Sequence, residues 1–505
     1  PFMRWVWGQL TSMRTALILL FLLALAAIPG SVVPQSAQSA MKVSDFAANH
    51  PTLDRICRPL GMYHVYTSVW FSAIYLLLLI SLIGCIVPRI VSHAKALRRQ
   101  PPRVPARLDR LAAHASMITS ASAAEVSQRA QQWLTSHRYR FVVDDDGSLR
   151  AEAGRHRETG NLVFHIFLVF VLVGVGWNTL WGFKGTSVVV EGQGFSNSIT
   201  QYDEFKAGAM VDTDNLTPFS MKLRKFVVSF ETGTVQRGAA RSFDATVDLT
   251  MGGKTQTRDL QVNHPLRIGS TKVHLLGHGY AADVVVRDGD GKVAYSGPVV
   301  FLPQDANFKS VGVIKVPDAR PDRLAFQGFF LPTGAITAGG PTSLFPDALN
   351  PQLYLTAWYG KPTVETGVPS NIYTLDTTGL TQVTNGKDKA RFVLSPGQRY
   401  KLPDGKGSIQ FNGWQRWAKI QVSQNPGLPL TFLSVVLSVA GLCVSLFSRS
   451  RRVWVRTIPG DDGLRVEIGG LDRSDSRSGA VDDVNSLLAA LHGDSMSGDV
   501  GEEHS

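Results

Sequence analysis

Cysteine is scarce in this chain: the 505 residues contain three, Cys57, Cys85 and Cys443. They lie far apart, and none belongs to a Cys-x-x-Cys pair. This spacing excludes a dithiol redox site, a cysteine-rich zinc site and a Cys-x-x-Cys-His heme attachment motif within the chain. Cys85 and Cys443 lie in apolar runs, where packing roles are expected. Cys57 stands alone and is a candidate reactive thiol.

A basic surface stripe is also lacking, although the formal net charge is +11. Residues 183–427 carry 26 Lys and Arg against 20 Asp and Glu, spread along the segment without an interleaved aromatic pattern. A nucleic-acid partner is therefore not expected. The basic excess lies next to apolar runs, so the charge reports membrane topology.

Long apolar runs are what the chain does contain. Twenty residues at ~1.5 Å each cover ~30 Å, the hydrocarbon thickness of a bilayer. Four runs of 18 to 20 residues are long enough to cross it: 15–33, 70–87, 162–181 and 428–447. The first of them imitates a signal peptide with a small-residue cleavage site, but further spans follow, so we expect a retained membrane helix.

Basic clusters after the second and fourth runs predict the sidedness of the chain. Seven Lys and Arg follow Val87 up to Arg110, and four Arg follow Phe447 up to Arg456. The positive-inside rule places such clusters in the cytoplasm. We therefore predict a multi-pass protein of the cell membrane with cytoplasmic segments 1–14, 88–160 and 448–505 and extracytoplasmic segments 34–69 and 183–427.

The predicted fold class is a membrane protein of the α plus β type, with four transmembrane helices and a large β-rich extracytoplasmic domain between spans three and four. Residues 183–427 alternate apolar and polar residues between glycine-rich turns, which is typical of antiparallel sheets. The turn Asp288-Gly-Asp-Gly lacks the remaining ligands of a calcium loop and predicts a hairpin. Residues 303–353 are rich in Pro and Gly and predict long irregular loops.

The two larger cytoplasmic segments differ in pattern. Residues 88–160 contain an amphipathic helical pattern over Ala121–His137, followed by two short strand patterns around an aspartate-rich turn, and predict a small α/β unit. Residues 448–505 contain a hairpin pattern around Gly460–Gly463. From about Asp472 the tail is rich in Ser, Asp and Gly, and we expect it to be largely disordered.

His165 interrupts the third apolar run about one turn from its cytoplasmic end. An imidazole at that depth loses water and needs a partner, so it is a candidate functional residue. The alternative is a neutral structural histidine that is hydrogen-bonded to a neighbouring helix or reaches the headgroups. Phe164, Phe167 and Phe170 flank it, and Gly174 and Gly176 would permit close approach of another helix. Arg155 and Arg157 precede the run as topology anchors or, less simply, as anion ligands.

Three further histidines cluster within fifteen residues of the β-rich segment: His264, His274 and His278. We expect hydrogen-bonding structural roles for them rather than a shared metal site. Gly277 and Gly279 favour a turn at this point, and a turn would separate the imidazoles of His274 and His278.

The arrangement of these pieces resembles the ResB family, also called Ccs-type proteins, of the system II pathway of cytochrome c maturation. Two stretches resemble the first span of the family: Trp7-Gly-Gln-Leu-Thr-Ser-Met-Arg-Thr-Ala-Leu and Ile28-Pro-Gly-Ser-Val-Val-Pro-Gln. Gly160-Asn-Leu-Val-Phe-His resembles its histidine-bearing third span. In the β-rich segment the similar stretches are Asn263-His-Pro-Leu-Arg-Ile, Gly277-His-Gly-Tyr-Ala and Phe301-Leu-Pro-Gln-Asp, followed by Asn425-Pro-Gly-Leu and Arg451-Arg-Val-Trp.

This resemblance implies a function. It implies a membrane partner of the CcsA/ResC type, with which the chain handles heme b and delivers it across the membrane for covalent attachment to apocytochrome c. By local sequence, the family histidine of the third span corresponds to His165, as an axial ligand of heme iron. Thiol-reducing maturation proteins and membrane lipid are further candidate partners.

The tryptophan-rich heme-binding motif of the pathway belongs to the partner and is absent from this chain. Whether the chain is an enzyme is therefore left open: the resemblance implies a subunit of a holocytochrome c synthase (heme lyase) complex that is not catalytic alone. An alternative is a non-catalytic scaffold that binds apocytochrome c or the partner without ligating heme. A secondary transporter or channel finds little support, because no internal repeat relates the four spans.

The topology can be tested with reporter fusions. Because basic clusters follow Val87 and Phe447, fusions near Arg99 and at the C-terminus should report a cytoplasmic location, and fusions near Gly253 an extracytoplasmic one. A cytoplasmic signal at Gly253 would overturn the four-span arrangement. N-terminal sequencing that begins after Ala27 would instead identify the first run as a cleaved signal.

Overall fold

The structure is a computed structural model that describes residues 2–36, 40–362, 374–386, 388–461, 463–472 and 478–492. The chain divides within its third long apolar helix into two units, each described by itself: Pro1–Gly176 with Leu428–Ser505, and Trp177–Gly427. Helices and strands are numbered in chain order. The helices are α1 (Phe2–Leu10), α2 (Met13–Val32), α3 (Ala40–Asn49), α4 (Pro51–Cys57), α5 (Val69–Arg98), α6 (Ala123–Ser136), α7 (His156–Trp181), α8 (Leu428–Phe447) and α9 (Ser478–His492).

Four of these helices, α2, α5, α7 and α8, contain stretches long and apolar enough to cross a membrane, as predicted. Two of them extend beyond the predicted spans. Helix α5 continues past Val87 to Arg98, through Pro88 and a last stretch of good helix formers over 94–98, and it ends before Pro101-Pro102. Helix α7 begins at His156, six residues before the apolar run. The helices therefore project beyond the hydrocarbon layer.

The segment between the first two spans, predicted as a loop, contains α3, α4 and a 3-10 helix over Met62–Thr67. Gln35 holds its two ends together. Its Nε2 donates to Val33 O and Met62 O, both at 2.9 Å, and its Oε1 accepts from Val65 N at 3.1 Å. The buried amide of Gln35 thus links the residues just after span one to the 3-10 helix that precedes span two.

The first unit also contains an antiparallel five-stranded sheet. Its strands are β1 (Ala113–Thr119), β2 (Arg140–Val143), β3 (Leu149–Ala153), β24 (Arg451–Gly460) and β25 (Gly463–Asp472), in the spatial order β1-β25-β24-β3-β2. The predicted hairpin around Gly460–Gly463 is confirmed, and it lies between β1 and β3. Segments 88–160 and 448–505, predicted separately, therefore build one α/β domain with α6 and α9.

The prediction of disorder after about residue 472 is wrong for residues 478–492, which form α9. Ala480, Val484, Leu487 and Leu491 recur at helical spacing and are buried in the core of the α/β domain. Asp483 on the same helix accepts from Tyr139 Oη at 2.6 Å and pairs with Arg451 Nη1 at 2.8 Å. The polar composition of the tail hid this apolar stripe. Residues 473–477 and 493–505 lie outside the described residues.

The second unit, here called the β domain, holds the strands between α7 and α8. The strands are β4 (Phe183–Val190), β5 (Gly194–Ser196), β6 (Glu204–Ala207), β7 (Ser220–Phe230), β8 (Ala240–Met251), β9 (Lys254–Gln261), β10 (Leu266–Ile268), β11 (Thr271–Asp288), β12 (Val293–Pro303), β13 (Ser310–Val316), β14 (Arg323–Leu331), β15 (Gly334–Thr337), β16 (Gly340–Ser343), β17 (Gln352–Gly360), β18 (Thr381–Gln382), β19 (Thr384–Asn385), β20 (Asp388–Lys389), β21 (Arg391–Leu394), β22 (Arg399–Lys401) and β23 (Gly407–Gln424). This sheet content confirms the α plus β class, while the sidedness of the domain stays a prediction.

One twelve-stranded sheet dominates the β domain, along the order β18-β17-β14-β13-β12-β11-β23-β4-β6 with β10, β21 and β22 attached at its sides. Its axis is the long antiparallel pair β11 and β23, aligned from Thr271↔Gln424 to Asp288↔Gly407. A four-stranded sheet, β5-β7-β8-β9, forms a second layer. The predicted hairpin at Asp288 connects β11 to β12. Residues 303–353, predicted as irregular loops, instead contain β13 to β16 and the start of β17.

His278 lies on β11 where the two hydrophobic cores of the β domain meet. Its ring stacks on Phe308 at 4.6 Å and contacts Phe243 at 5.1 Å and Phe226 at 5.8 Å, measured between ring centroids. Burial, with a smaller contribution from the Arg416 guanidinium, lowers the pKa of His278 to about 4. The imidazole is therefore neutral near pH 7 and packs among the aromatic rings, with its Nδ1 buried and without a hydrogen-bond partner among the described residues.

Helix α9 can be tested by a core deletion. Leu487 is fully buried, so Leu487→Ala should leave a cavity and destabilise the α/β domain by about 2–5 kcal/mol. Hydrogen exchange of β24 and β25 peptides should accelerate relative to the wild type. Asn485→Ala, at an exposed position of the same helix, is the matched control and should change nothing. Equal exchange in both variants would mean that α9 does not pack on the sheet.

His278 predicts a pH-dependent stability of the β domain. Between the ordinary histidine pKa of 6.5 and the folded value of about 4, the unfolded chain binds a proton here that the folded chain does not. The free energy of unfolding should therefore fall as the pH falls from 6.5 to about 4, and it should have its full value above this range. His278→Phe should flatten the dependence, measured as exchange protection of β11 peptides corrected for intrinsic rates. His264→Phe, at an exposed site, should keep the wild-type slope.

Candidate functional site

His165 lies in the tenth position of α7 and is half-buried. Its Nδ1 is 2.7 Å from the backbone carbonyl oxygen of Asn161, one turn earlier. A carbonyl oxygen can only accept a hydrogen bond, so Nδ1 carries the proton and Nε2 carries the free lone pair. No residue in the described part of the chain hydrogen-bonds Nε2. This tautomer, held by a backbone acceptor, is the arrangement of metal-ligating histidines.

The predicted aromatic surroundings are partly present. Phe164 meets the imidazole edge-on, with ring centroids 4.9 Å apart and an interplanar angle of 84°. Phe167 and Phe170 contact each other at 5.9 Å. One phenylalanine therefore borders His165 directly, and the other two form a separate aromatic pair further along α7.

Helix α8 packs closely on α7 through glycine. A Cβ added to Gly160 would lie 2.6 Å from Gly441 O, so neither helix has room for a side chain there. Ser438 Oγ donates to Phe164 O at 3.2 Å across the same interface. The sequence predicts close approach at Gly174 and Gly176 instead. The overlooked signal is the row of small residues along α8: Ser434, Ser438, Gly441 and Ser445.

Helix α5 contacts a different side of α7. Tyr75 Oη donates to Leu172 O at 2.9 Å, and His93 Nε2 lies 2.9 Å from Thr159 Oγ1. A shallow apolar groove of about 150 Å³ lies between the two helices. Its lining residues are Ile83, Ile86, Val87 and Ile90 on α5 and Ile166, Val169 and Phe170 on α7. No sequence pattern singles out His93, because it lies beyond the apolar run of its helix.

The direction of His165 follows from these two contacts. At about 100° per residue, His165 points about 140° away from Gly160, which faces α8, and about 100° away from Ile166, which faces α5. Val169, which lines the groove with α5, lies only about 40° from His165, so the imidazole borders the α5 side of α7 and points away from α8. The side chain is half-buried, and its Nε2 has no hydrogen-bond partner among the described residues.

The two arginines that precede α7 differ. Arg155 is engaged: its Nε pairs with Glu152 Oε1 at 3.2 Å, and its Nη2 donates to Ala96 O at 2.8 Å. It joins the end of α5 to the α/β domain, as an anchor would. Arg157 lies in the first turn of α7 and is exposed.

The other candidate ligands do not come together. His274 and His278 lie on the continuous strand β11, across an irregularity in its pairing between Leu275 and Gly277. The predicted turn at this point is therefore wrong, because a bulge at Leu276 shifts the register without reversing the chain, and Gly277 stays paired with Lys419. Within the described residues no three His, Cys, Asp or Glu side chains form a metal-binding group. Cys85 has a packing role, since its Sγ donates to Thr11 O at 2.7 Å.

Comparison with known proteins identifies the family of the chain. The profile of the ResB-like family matches residues 13–481. A protein of Synechococcus sp. (strain JA-3-3Ab) named cytochrome c biogenesis protein CcsB is 24% identical over 452 residues, which cover 88% of this chain and 82% of that protein. A protein of the same name from Microcystis aeruginosa is 22% identical over 480 residues, which cover 92% of this chain and 91% of that protein.

The family match begins at the first residue of α2 and continues into α9, so it includes all four long apolar helices, the α/β domain and the β domain. Relatives named for cytochrome c biogenesis cover nearly the same extent. This chain is therefore a multi-pass membrane protein that belongs to the ResB-like family, with a role in cytochrome c biogenesis.

Proposed function

We propose that this chain handles heme in cytochrome c maturation, with His165 as an axial ligand of the heme iron inside the membrane. The observation that carries the proposal is the state of the imidazole: Nδ1 donates to Asn161 O at 2.7 Å, which leaves the Nε2 lone pair free. Heme is cargo here, delivered in the b form for covalent attachment to apocytochrome c. The printed names of the relatives support the pathway.

The residues around His165 fit heme as one half of a site. Phe164 offers an apolar surface beside the imidazole, as a flat macrocycle needs. The groove between α5 and α7, at about 150 Å³, is smaller than the ~300–1,000 Å³ of pockets that enclose whole ligands. The described residues therefore supply a ligand and a wall, and a second protein has to supply the rest.

That second protein would be a membrane partner of the CcsA type. A polar nitrogen that faces hydrocarbon is costly, so the unpaired Nε2 of His165 favours a covering protein rather than lipid. The partner would contribute the opposite wall and the second axial ligand. Within this chain, Asn161 O keeps Nδ1 protonated and orients the ring, and α8 holds α7 in place at Gly160. Bound heme supplies the electrophilic vinyl carbons that cysteine thiols of apocytochrome c attack.

Sidedness is part of the proposal. The basic clusters that follow the apolar parts of α5 and α8 support a cytoplasmic α/β domain and an extracytoplasmic β domain. The β domain would then lie on the side where apocytochrome c receives heme. The chain has no Cys-x-x-Cys pair, so thiol reduction would belong to other maturation proteins, and ligation would require the complex with the partner.

A scaffold without heme ligation is the second candidate. It is favoured by the small size of the groove between α5 and α7, which at about 150 Å³ does not enclose a heme by itself. In that case His165 would be a structural histidine satisfied by Asn161 O alone, and the β domain would bind apocytochrome c or the partner. The two candidates differ in what the loss of His165 does to bound heme.

His165→Ala tests the ligand role in the full chain co-expressed with the CcsA-type partner. We expect at least a ~10-fold loss of cytochrome c maturation and of heme bands in the purified complex, because an axial ligand is lost while insertion is unaffected. Free imidazole should restore part of the heme absorption by occupying the vacant position. His93→Ala is the matched control: it removes a histidine of α5 that bonds Thr159 and leaves the ligand in place.

Wild-type maturation in His165→Ala would remove this residue from heme handling and favour the scaffold. Equal losses in His165→Ala and His93→Ala without imidazole rescue would indicate helix packing rather than ligation. Insertion is checked in each case by membrane fractionation, so that loss of the protein is not mistaken for loss of the ligand.

A further inference from the structure

Helix α1, which precedes span one, presents large apolar side chains without a covering partner among the described residues. Phe2, Met3, Trp5 and Trp7 are 70%, 78%, 62% and 56% exposed. No residue of the helix is buried, and its single charged side chain is Arg4. Four such side chains in nine residues form a patch that water does not favour.

The position of α1 along the membrane normal follows from the position of α2. Helix α2 has 20 residues, and ~30 Å of helix fills the hydrocarbon layer, so Met13 lies at one boundary of that layer. Ser12 caps α2, with Thr15 N donating to Ser12 Oγ at 3.2 Å. Thr11 and Ser12 alone separate the two helices. Helix α1 therefore starts at the membrane boundary.

Helix α5 holds the corner between α1 and α2, which Thr11 and Ser12 form, in place. A side chain on Gly84 of α5 would collide with Thr11 Cγ2, so the glycine lets the corner between α1 and α2 lie directly on α5. Cys85 Sγ donates to Thr11 O at 2.7 Å, and Arg89 Nη2 lies 2.9 Å from Met13 Sδ. These contacts fall where the apolar part of α5 ends, at Val87. Two spans thus place α1 at the same boundary.

The side chains of α1 are sorted around its axis. At 100° per residue, Arg4 and Gly8 lie within about 40° of each other, while Phe2 and Val6 lie about 160° away from Arg4. Trp5 lies about 100° and Trp7 about 60° from Arg4, so the tryptophans flank the boundary between the apolar and the basic side, which is typical of helices in the interfacial layer of a membrane.

We propose that α1 lies in the headgroup layer of the membrane surface at which α2 begins, with Phe2, Trp5 and Val6 in lipid and Arg4 toward water. The partner of this surface is the lipid bilayer itself. The segment 1–14, predicted to be cytoplasmic, then lies on the membrane surface. Through Thr11 and Gly84 it fixes the depth of span one and of α5. This inference is independent of any role of His165.

Spin labelling of the full chain in liposomes tests it. The native cysteines are replaced by serine, and Cys85→Ser retains a donor for Thr11 O. A nitroxide is then placed at Val6→Cys or at Arg4→Cys, both exposed positions where a label does not disturb packing. Collision with oxygen, which partitions into lipid, is compared with collision with a water-soluble nickel chelate. The oxygen-to-nickel ratio at position 6 should exceed that at position 4 by about threefold or more.

Equal and low ratios at both positions would overturn the proposal, because α1 would then project into water. Equal and high ratios would also overturn it, because α1 would then continue span one into the hydrocarbon layer. A label at position 6 that is immobile and inaccessible to both agents would identify a protein contact in place of lipid, and would likewise contradict the proposal.

Discussion

Inside a bilayer a polar group can be satisfied only by protein, and that constraint determines how the spans of this chain are built. Tyr75 Oη, Ser438 Oγ and His165 Nδ1 each donate to a backbone carbonyl of α7. Ser81 Oγ on α5 lacks a partner among the described residues, but it is fully buried and out of reach of a ligand. The free nitrogen of His165 differs because its side chain is only half-buried, beside the groove between α5 and α7. One hydrogen bond has two results: Nδ1 is satisfied within the chain, and Nε2 stays available to a group outside the chain.

Helix α7 is held by two helices that use different contacts. Helix α8 approaches as closely as backbones allow, through Gly160 and Gly441, whereas α5 is held by two side-chain hydrogen bonds around a small groove. Close backbone contact resists rotation of α7 about its axis, so the direction of His165 is set more firmly by α8 than by α5. A larger residue at Gly441 would turn the imidazole without touching it.

Local patterns in the sequence predicted much of this structure. The four apolar runs, the intramembrane His165 and the hairpins at Asp288 and Gly460 all depend on residues close together in the chain. What could not be predicted depends on distant contacts. Helix α9 lies in a tail rich in Ser, Asp and Gly and is stabilised by an apolar stripe that is buried against β1, β25 and α6. Likewise, Gly160 and Gly441 lie on helices that are separated in sequence by the whole β domain, and no local periodicity predicts their contact.

In the α/β domain, the hairpin β24–β25 lies between β1 and β3. The strands on either side of the hairpin are synthesised before the β domain, and the hairpin itself comes after the last span. Until the hairpin arrives, β1 and β3 each have an unpaired edge and the hydrophobic face of α6 lacks most of its sheet. The domain can therefore close only after every preceding segment has been made and threaded. If translation stops early or the last span fails to insert, the sheet keeps an open edge that quality-control proteases can recognise. Closure of the α/β domain therefore depends on completed membrane insertion.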